Sequence, residues 1–173
     1  MDLLFLITSV VRQKNPHLSI FTPEERFDQT IHTIKTIKQK LPLAQIVVLE
    51  ASYGEKTLVV FKNVFMFYID NTGEDDYINE AKMLPTFLVS SCYRNLIHNT
   101  DYMVCKLSGR YYLDDDFDLE RFSIDKINVS ADISSIFHTF PSQKNAIVTS
   151  YLNKVVDIMG VSGVRDSGEF VKY

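Results

Sequence analysis

The chain has 173 residues, 46% of them hydrophobic and 23% charged, with 18 Lys+Arg against 22 Asp+Glu for a formal net charge of −4. A chain of that size buries about 70% of the surface it exposes when unfolded, and this composition excludes intrinsic disorder, a collagen repeat and a disulfide scaffold. The negative balance argues against a general grip on nucleic acid, which needs a basic surface, and leaves room for one small anion pocket.

Leu3 to Val11 is apolar and β-branched at its end, the pattern of a strand buried on both faces. The opening residues lack a basic lead and a small-residue cleavage site, so they are not read as a signal peptide. No later stretch reaches the roughly 18 apolar residues of a membrane span, and a cytoplasmic location is expected. A polar loop, Arg12 to Ser19, leads to Thr22-Pro23-Glu24-Glu25, a helix start in which Thr22 caps, Pro23 occupies the first turn and Glu25 completes a capping box. Phe27, Ile31, Ile34, Ile37 and Leu41 then recur at helical spacing until Pro42 stops the helix.

Ala44 to Leu49 reads as a second buried strand, followed by Glu50-Ala51-Ser52. Gly54 to Asn63 is expected to form a short helix, and Phe65 to Ile69 a third strand ending at Asp70-Asn71-Thr72-Gly73. From Asp75 to about His98, Ile78, Ala81, Leu84, Leu88, Cys92 and Leu96 keep helical spacing, with Pro85 expected to kink or divide the segment. Tyr102 to Leu107 is a fourth strand. This alternation predicts an α/β fold: one domain over 1–173, Rossmann-like, with a mostly parallel sheet and helices on both faces. Past Tyr112 the pattern loosens. Lys126 to Ile133 alternates like an edge strand, Ala146 to Ile158 suits helix or strand, and Gly160 to Tyr173 carries the turn signals of a hairpin. Cys92 and Cys105 sit in apolar segments and are read as two reduced, buried thiols in preference to a disulfide.

Open α/β sheets bind ligands at the carboxyl ends of their strands, near a switch in strand order. The residues to weigh there are Thr8, Ser9 and Arg12 after the first strand, Glu50 and Ser52 after the second, Asp70 and Asn71 after the third, and Lys106, Ser108, Gly109 and Arg110 at the fourth. They offer hydroxyls and carboxylates for a base and ribose, and cations for a diphosphate. In Lys106-Leu107-Ser108-Gly109-Arg110-Tyr111, Gly109 would let backbone N–H groups approach an anion while Arg110 grips it bidentately; a tight turn with two solvated cations is the competing reading. Asp114-Asp115-Asp116, with Asp118 behind, could hold Mg²⁺ or Mn²⁺, or could cap a short helix from Phe117 to Phe122. Asn79-Glu80 and Lys82 either face the same crevice or form a solvated helix face. His17, His32, His98 and His138 are scattered, and no Walker loop, Gly-x-Gly-x-x-Gly, nucleophile elbow or Cys-x-x-Cys occurs.

The order of parts from Leu3-Ile7-Thr8-Ser9 through Ile46 to Glu50 and Tyr102 to Leu107 resembles a compact nucleotide-sugar glycosyltransferase of the GT-A type. Lys106 to Leu113 is similar to a Lys-x-Ser-Gly-Arg-Tyr segment in a small subgroup of sugar-transferase-like proteins of bacteria and large viruses. Phe21 to Arg26 and Gly163 to Glu169 match further parts of that pattern, so the resemblance covers nearly the whole chain. It implies transfer of a sugar from a nucleoside-diphosphate sugar to a glycan or protein acceptor, as in polysaccharide biosynthesis. Thr8, Ser9 and Glu50 would contact the nucleotide, with Asp70 and Asn71 nearby. The sequence departs from the family where an Asp-x-Asp metal motif would follow the fourth strand, because Ser108-Gly109-Arg110 stands there. Either Asp114 and Asp116 hold Mn²⁺ or Mg²⁺, or Lys106 and Arg110 neutralise the diphosphate in its place. Asp166 and Glu169 are candidates for the base that deprotonates an acceptor hydroxyl. Two alternatives stand beside this reading: a non-catalytic nucleotide-sugar-binding or assembly module, and a sugar nucleotidyltransferase, for which Val10-Val11-Arg12-Gln13-Lys14 has the cations and no glycine. Self-association into a homo-oligomer is compatible with so short an acceptor half.

Overall fold

A computed structural model describes residues 2–56, 59, 61–71, 76–98, 102–121, 129–130, 155–158 and 164–166. Strand β1 is Asp2–Ser9, β2 Gln45–Glu50, β3 Val64–Tyr68, β4 Tyr102–Ser108, β5 Tyr111–Leu113, β6 Val129–Ser130, β7 Val155–Ile158 and β8 Val164–Asp166. The helices are α1 (Pro23–Lys40), α2 (Asp76–Leu88) and α3 (Ser91–Ile97). Six strands form one sheet in the order β3-β2-β1-β4-β7-β6, every neighbouring pair parallel, while β5 and β8 form a separate antiparallel pair. The expected α/β class, the parallel sheet and the helices on both faces are all present.

Alternation along the strands divides the core in two. Phe5, Ile7, Ile46, Val48, Met103, Cys105 and Leu107 pack with Ile34 and Ile37 of α1, whereas Leu4, Leu6, Val47, Leu49, Tyr102 and Val104 pack with Met83 and Phe87 of α2. Phe87 meets Phe67 and Tyr93 edge-on at centroid distances of 5.0 and 5.5 Å, tying α2 to β3 and to α3. Helix α1 begins with the expected capping box: the Glu25 N–H donates to Thr22 Oγ1 at 3.2 Å and the Thr22 N–H to Glu25 Oε2 at 2.7 Å.

Three local expectations change. The Gly54–Asn63 segment carries no helix among its described residues; Gly54 (φ 78°) and Asn63 (φ 59°) adopt left-handed backbone at its two ends, which helical continuation does not allow. Pro85 does not divide its helix, since α2 runs through it to Leu88. The break falls at Val89–Ser90, where the Ser90 hydroxyl accepts from the Tyr93 N–H at 3.2 Å and caps α3. The described part of the tail, β8, pairs with β5, Tyr111 opposite Asp166 and Leu113 opposite Val164; the rest of the expected hairpin lies outside the described residues. Of the two thiols Cys105 is buried and Cys92 is exposed; both are free. Within the ambiguous later segments, Val129–Ser130 forms the outer strand β6 and Val155–Ile158 the inner strand β7, and the remaining residues of those expected elements lie outside the described residues. No helix among the described residues is long and apolar enough to cross a membrane.

Candidate functional site

The chain leaves β1 toward β2 and β3 on one side and returns to β4 on the other, so strand order reverses between β1 and β4. Ligand crevices of open parallel sheets form at such a reversal, on the carboxyl side. Thr8, Ser9, Glu50, Asp70, Asn71 and Ser108 all lie at that edge, at the last positions of β1, β2 and β4 and just past β3. A cleft of about 230 Å³ opens between the ends of β2 and β3, lined by Glu50, Ser52, Gly54, Lys56, Tyr68, Ile69, Asp70 and Asn71.

Its walls are laced by short polar contacts. Glu50 is 2% exposed, and its Oε1 accepts the Val11 N–H at 3.3 Å, the Ser52 N–H at 3.1 Å and the Ser52 hydroxyl. Burial pushes the Glu50 carboxyl above the ordinary carboxylate range, outweighing hydrogen bonds from Ser52, Ser9 and Val11 that pull it down. Glu50 therefore lines the cleft while bracing the loop after β1 against the loop after β2. The same two loops are joined by the Arg12 N–H to Ser52 Oγ at 2.9 Å and by the Tyr53 N–H to the Arg12 carbonyl at 2.8 Å. The Arg12 guanidinium pairs with Glu55 at 2.7 Å on the exposed rim. Asn71 donates its amide N–H to the Ala51 carbonyl at 2.8 Å, which leaves Asp70 exposed beside it. Lys56 Nζ stands 5.1 Å from the centre of the Tyr68 ring.

On the β4 side, the expected Lys106–Arg110 motif is split between the two faces of the sheet. Leu107 belongs to the α1 core, and Val104 to the α2 core, so alternation turns Lys106 and Ser108 toward α2. Their parallel partners in β1 are Leu6 and Thr8, and Leu6 belongs to that same α2 core. Ser9 and Gly109 fall on the α1 side, where Ser9 Oγ lies 3.3 Å from Thr30 Oγ1. Gly109 does not offer its N–H to an anion: that group donates to the Thr8 carbonyl at 2.8 Å. A glycine is needed at 109 for close approach, since an added Cβ would stand 2.7 Å from Thr30 Oγ1 and 3.2 Å from the Thr8 carbonyl oxygen. Arg110 follows, half-buried at the turn.

Helix α1 presents a second buried face to this turn, made of Gln29, Thr30, Thr33 and Thr36. The Thr33 hydroxyl lies 3.1 Å from the Gly109 carbonyl oxygen and within hydrogen-bond reach of that of Tyr111, and Thr36 Oγ1 accepts the Leu113 N–H at 3.1 Å. β5 thus runs down α1, away from the crevice. It delivers Asp115 to Lys40 in the helix's last turn, at 3.1 Å. Ten residues separate Thr30 from Lys40, about 15 Å of helix.

Asp114 and Asp116 are consequently not brought to the crevice. Asp114 Oδ1 accepts the Asp116 N–H at 3.0 Å in a turn, and Asp118 Oδ1 accepts the Glu120 N–H at 3.0 Å, opening a 3-10 turn at Leu119–Arg121. These are backbone-capping roles, and among the described residues no three His, Cys, Asp or Glu side chains are grouped to hold a metal ion. The acidic run does not fit a Mn²⁺ or Mg²⁺ ion bridging a diphosphate at the end of β4. Asp166 is brought back by β8, its backbone opposite Tyr111, next in sequence to Arg110; Glu169, Asn79 and Glu80 contribute no described side chain, and Lys82 is exposed on α2.

Some site residues escaped the strand-end rule. Arg26 donates from Nε to the Val10 carbonyl at 2.6 Å, holding the exit of β1 from the first turns of α1. Tyr68 and Lys56 line the cleft although neither follows a strand directly. Tyr68 could have been found as the last residue of the third strand; Lys56 has no local signal.

The sheet order and the polar edge define an α/β protein of Rossmann-like architecture, with strand order reversing at β1/β4 and a cleft beside it between the ends of β2 and β3. No protein-family model, curated protein or solved structure matches this chain.

Proposed function

We propose that the chain is a GT-A-type glycosyltransferase that binds a nucleoside-diphosphate sugar in the crevice and passes the sugar to a glycan or protein hydroxyl, acting in the cytoplasm. The observation that carries this reading is the reversal of strand order at β1/β4, with hydroxyl, carboxylate and cationic side chains gathered along one sheet edge. The cleft between β2 and β3 offers Asp70, Asn71 and the Tyr68 ring to a nucleoside, and the β4 end offers Lys106 and Arg110 to its diphosphate. In transfer, the bond from the sugar's anomeric carbon to the diphosphate oxygen breaks and a bond to the acceptor oxygen forms. The acceptor proton passes to a carboxylate, for which Asp166 is the candidate, its backbone standing opposite Tyr111. Cations beside the departing diphosphate stabilise charge that develops only as that bond breaks.

A thermal-shift series with UDP-, GDP-, CMP- and dTDP-sugars tests the reading. At least one donor raises Tm in a concentration-dependent way, because a ligand bound only by the folded state stabilises it; no shift with any of them overturns it. The position of Asp114–Asp116 away from the crevice favours a second reading, a nucleotide-sugar-binding module without transfer activity. Donor hydrolysis, assayed with and without Mn²⁺, separates the two: binding without turnover selects the module.

A further inference from the structure

We infer that the α2-facing side of the β1–β4 seam is a metal-free phosphate site, built from the hydroxyls of Thr8 and Ser108 and the ammonium of Lys106. Its identification as the seat of a nucleotide's diphosphate rests on the function proposed above; the anion chemistry does not.

Three observations converge. Thr8 and Ser108 are direct register partners on adjacent parallel strands at the carboxyl edge, which sets their Cα atoms about 4.8 Å apart with both side chains on one face. Lys106 lies on that face two residues lower, and its flexible four-carbon stem can carry the ammonium toward the edge. Thr8 is only 5% exposed, and its Oγ1 makes no hydrogen bond. Buried hydroxyls are ordinarily paired, so an unpaired one at the carboxyl edge of the sheet, with a second hydroxyl beside it and a lysine two residues lower on the same face, suits a phosphoryl oxygen that accepts from all three.

The two ion pairs among the described side chains, Arg12–Glu55 and Lys40–Asp115, do not involve Lys106. Asp157 of β7 occupies the register position beside Lys106. The acidic run that would supply a divalent ion is held at the far end of β5. The cation that neutralises the anion is then the lysine itself.

Calorimetric titration with inorganic pyrophosphate and with UDP, in EDTA, tests the site on the full chain. Wild-type protein binds pyrophosphate without divalent metal. Lys106→Met weakens binding at least tenfold, Lys106→Arg retains most of it, and Thr8→Val weakens it severalfold. Asp114→Asn/Asp116→Asn binds like wild type. Pyrophosphate binding that requires added Mn²⁺ or Mg²⁺, or that survives both Lys106→Met and Thr8→Val, overturns the inference, as does the absence of any binding to folded wild-type protein. Lys106-dependent pyrophosphate binding with no response to any nucleotide sugar sustains the site and overturns the glycosyltransferase reading; nucleotide-sugar binding indifferent to Lys106 does the reverse.

Discussion

Gly109 and Thr30 meet so closely that one added carbon collides: a Cβ at position 109 would lie 2.7 Å from Thr30 Oγ1. The contact fixes the turn after β4 against α1, and with it the direction in which β5 departs. Gly109→Ala should cost about 1–3 kcal/mol by overpacking, or several degrees of Tm for a chain of this length, where about 1 kcal/mol shifts Tm by roughly 2–4 °C. Thr30→Ala removes the nearest atom and should restore part of that loss in the double variant. Additive losses in chemical denaturation would refute the steric account.

Glu50 makes stability depend on pH in a stated direction. Its carboxyl titrates above the ordinary value of 4.5 because it is buried. The folded state thus holds this proton more tightly than the unfolded chain does. Stability from this group is full below pH 4.5 and declines as pH rises through the raised folded value, staying level above it. Glu50→Gln retains an Oε1 acceptor for the Val11 and Ser52 N–H groups without the buried charge. Urea denaturation across the acid-to-neutral range should show a shallower decline for Glu50→Gln and no loss of stability at neutral pH. A slope identical to wild type would exclude Glu50 as its source.

Gln29 is 2% exposed, and neither its Oε1 nor its Nε2 makes a hydrogen bond. An unsatisfied buried amide costs about 1–3 kcal/mol. Gln29→Met, of similar length and with no such demand, should therefore stabilise the protein by about 1 kcal/mol in equilibrium unfolding. Destabilisation by more than that would mean that the amide's polarity is needed.

The thiols should react unequally. Cys105 is buried, and burial pushes its pKa up to about 12; Cys92 is exposed. A thiol reagent should titrate one equivalent in native protein and two in denaturant. Two fast equivalents in the native state would contradict the packing of β4.

Breaking the Arg12–Glu55 pair should matter little for folding. Both side chains are well exposed, 46% and 79%, and such pairs contribute at most about 1 kcal/mol. Glu55→Ala should leave the denaturation midpoint nearly unchanged. A large drop would assign the rim a structural role.

Much of the fold was legible in sequence because it rests on local periodicity and capping. The Thr22–Glu25 box, the apolar runs of β1, β2 and β4, and the helical spacing of α1 are each written within a few neighbouring residues. Helix breaks were less legible: Pro85 was expected to kink or divide the segment, and the division falls at Ser90, whose hydroxyl caps α3. Gly109 illustrates a subtler limit. Its identity signalled close backbone approach, and the approach is real, but the neighbour is Thr30, 79 positions earlier. The same holds for the acidic run, whose composition suggested a metal while the descent of β5 along α1 sets it beside Lys40. Strand order, which decides where the crevice lies, is a long-range property that no local pattern encodes.

The pairing of β5 with β8 joins segments about fifty positions apart through only three residue pairs. Closing so long a loop is entropically costly and gains few contacts in return. This ladder should form late in folding and open well below the free energy of global unfolding. Hydrogen exchange would then distinguish it sharply from the β1–β2–β4 centre. An opening of that kind would uncover Tyr111 and the Arg110 turn while the carboxyl edge of the six-stranded sheet stayed intact, giving one molecule a firm half and a yielding half.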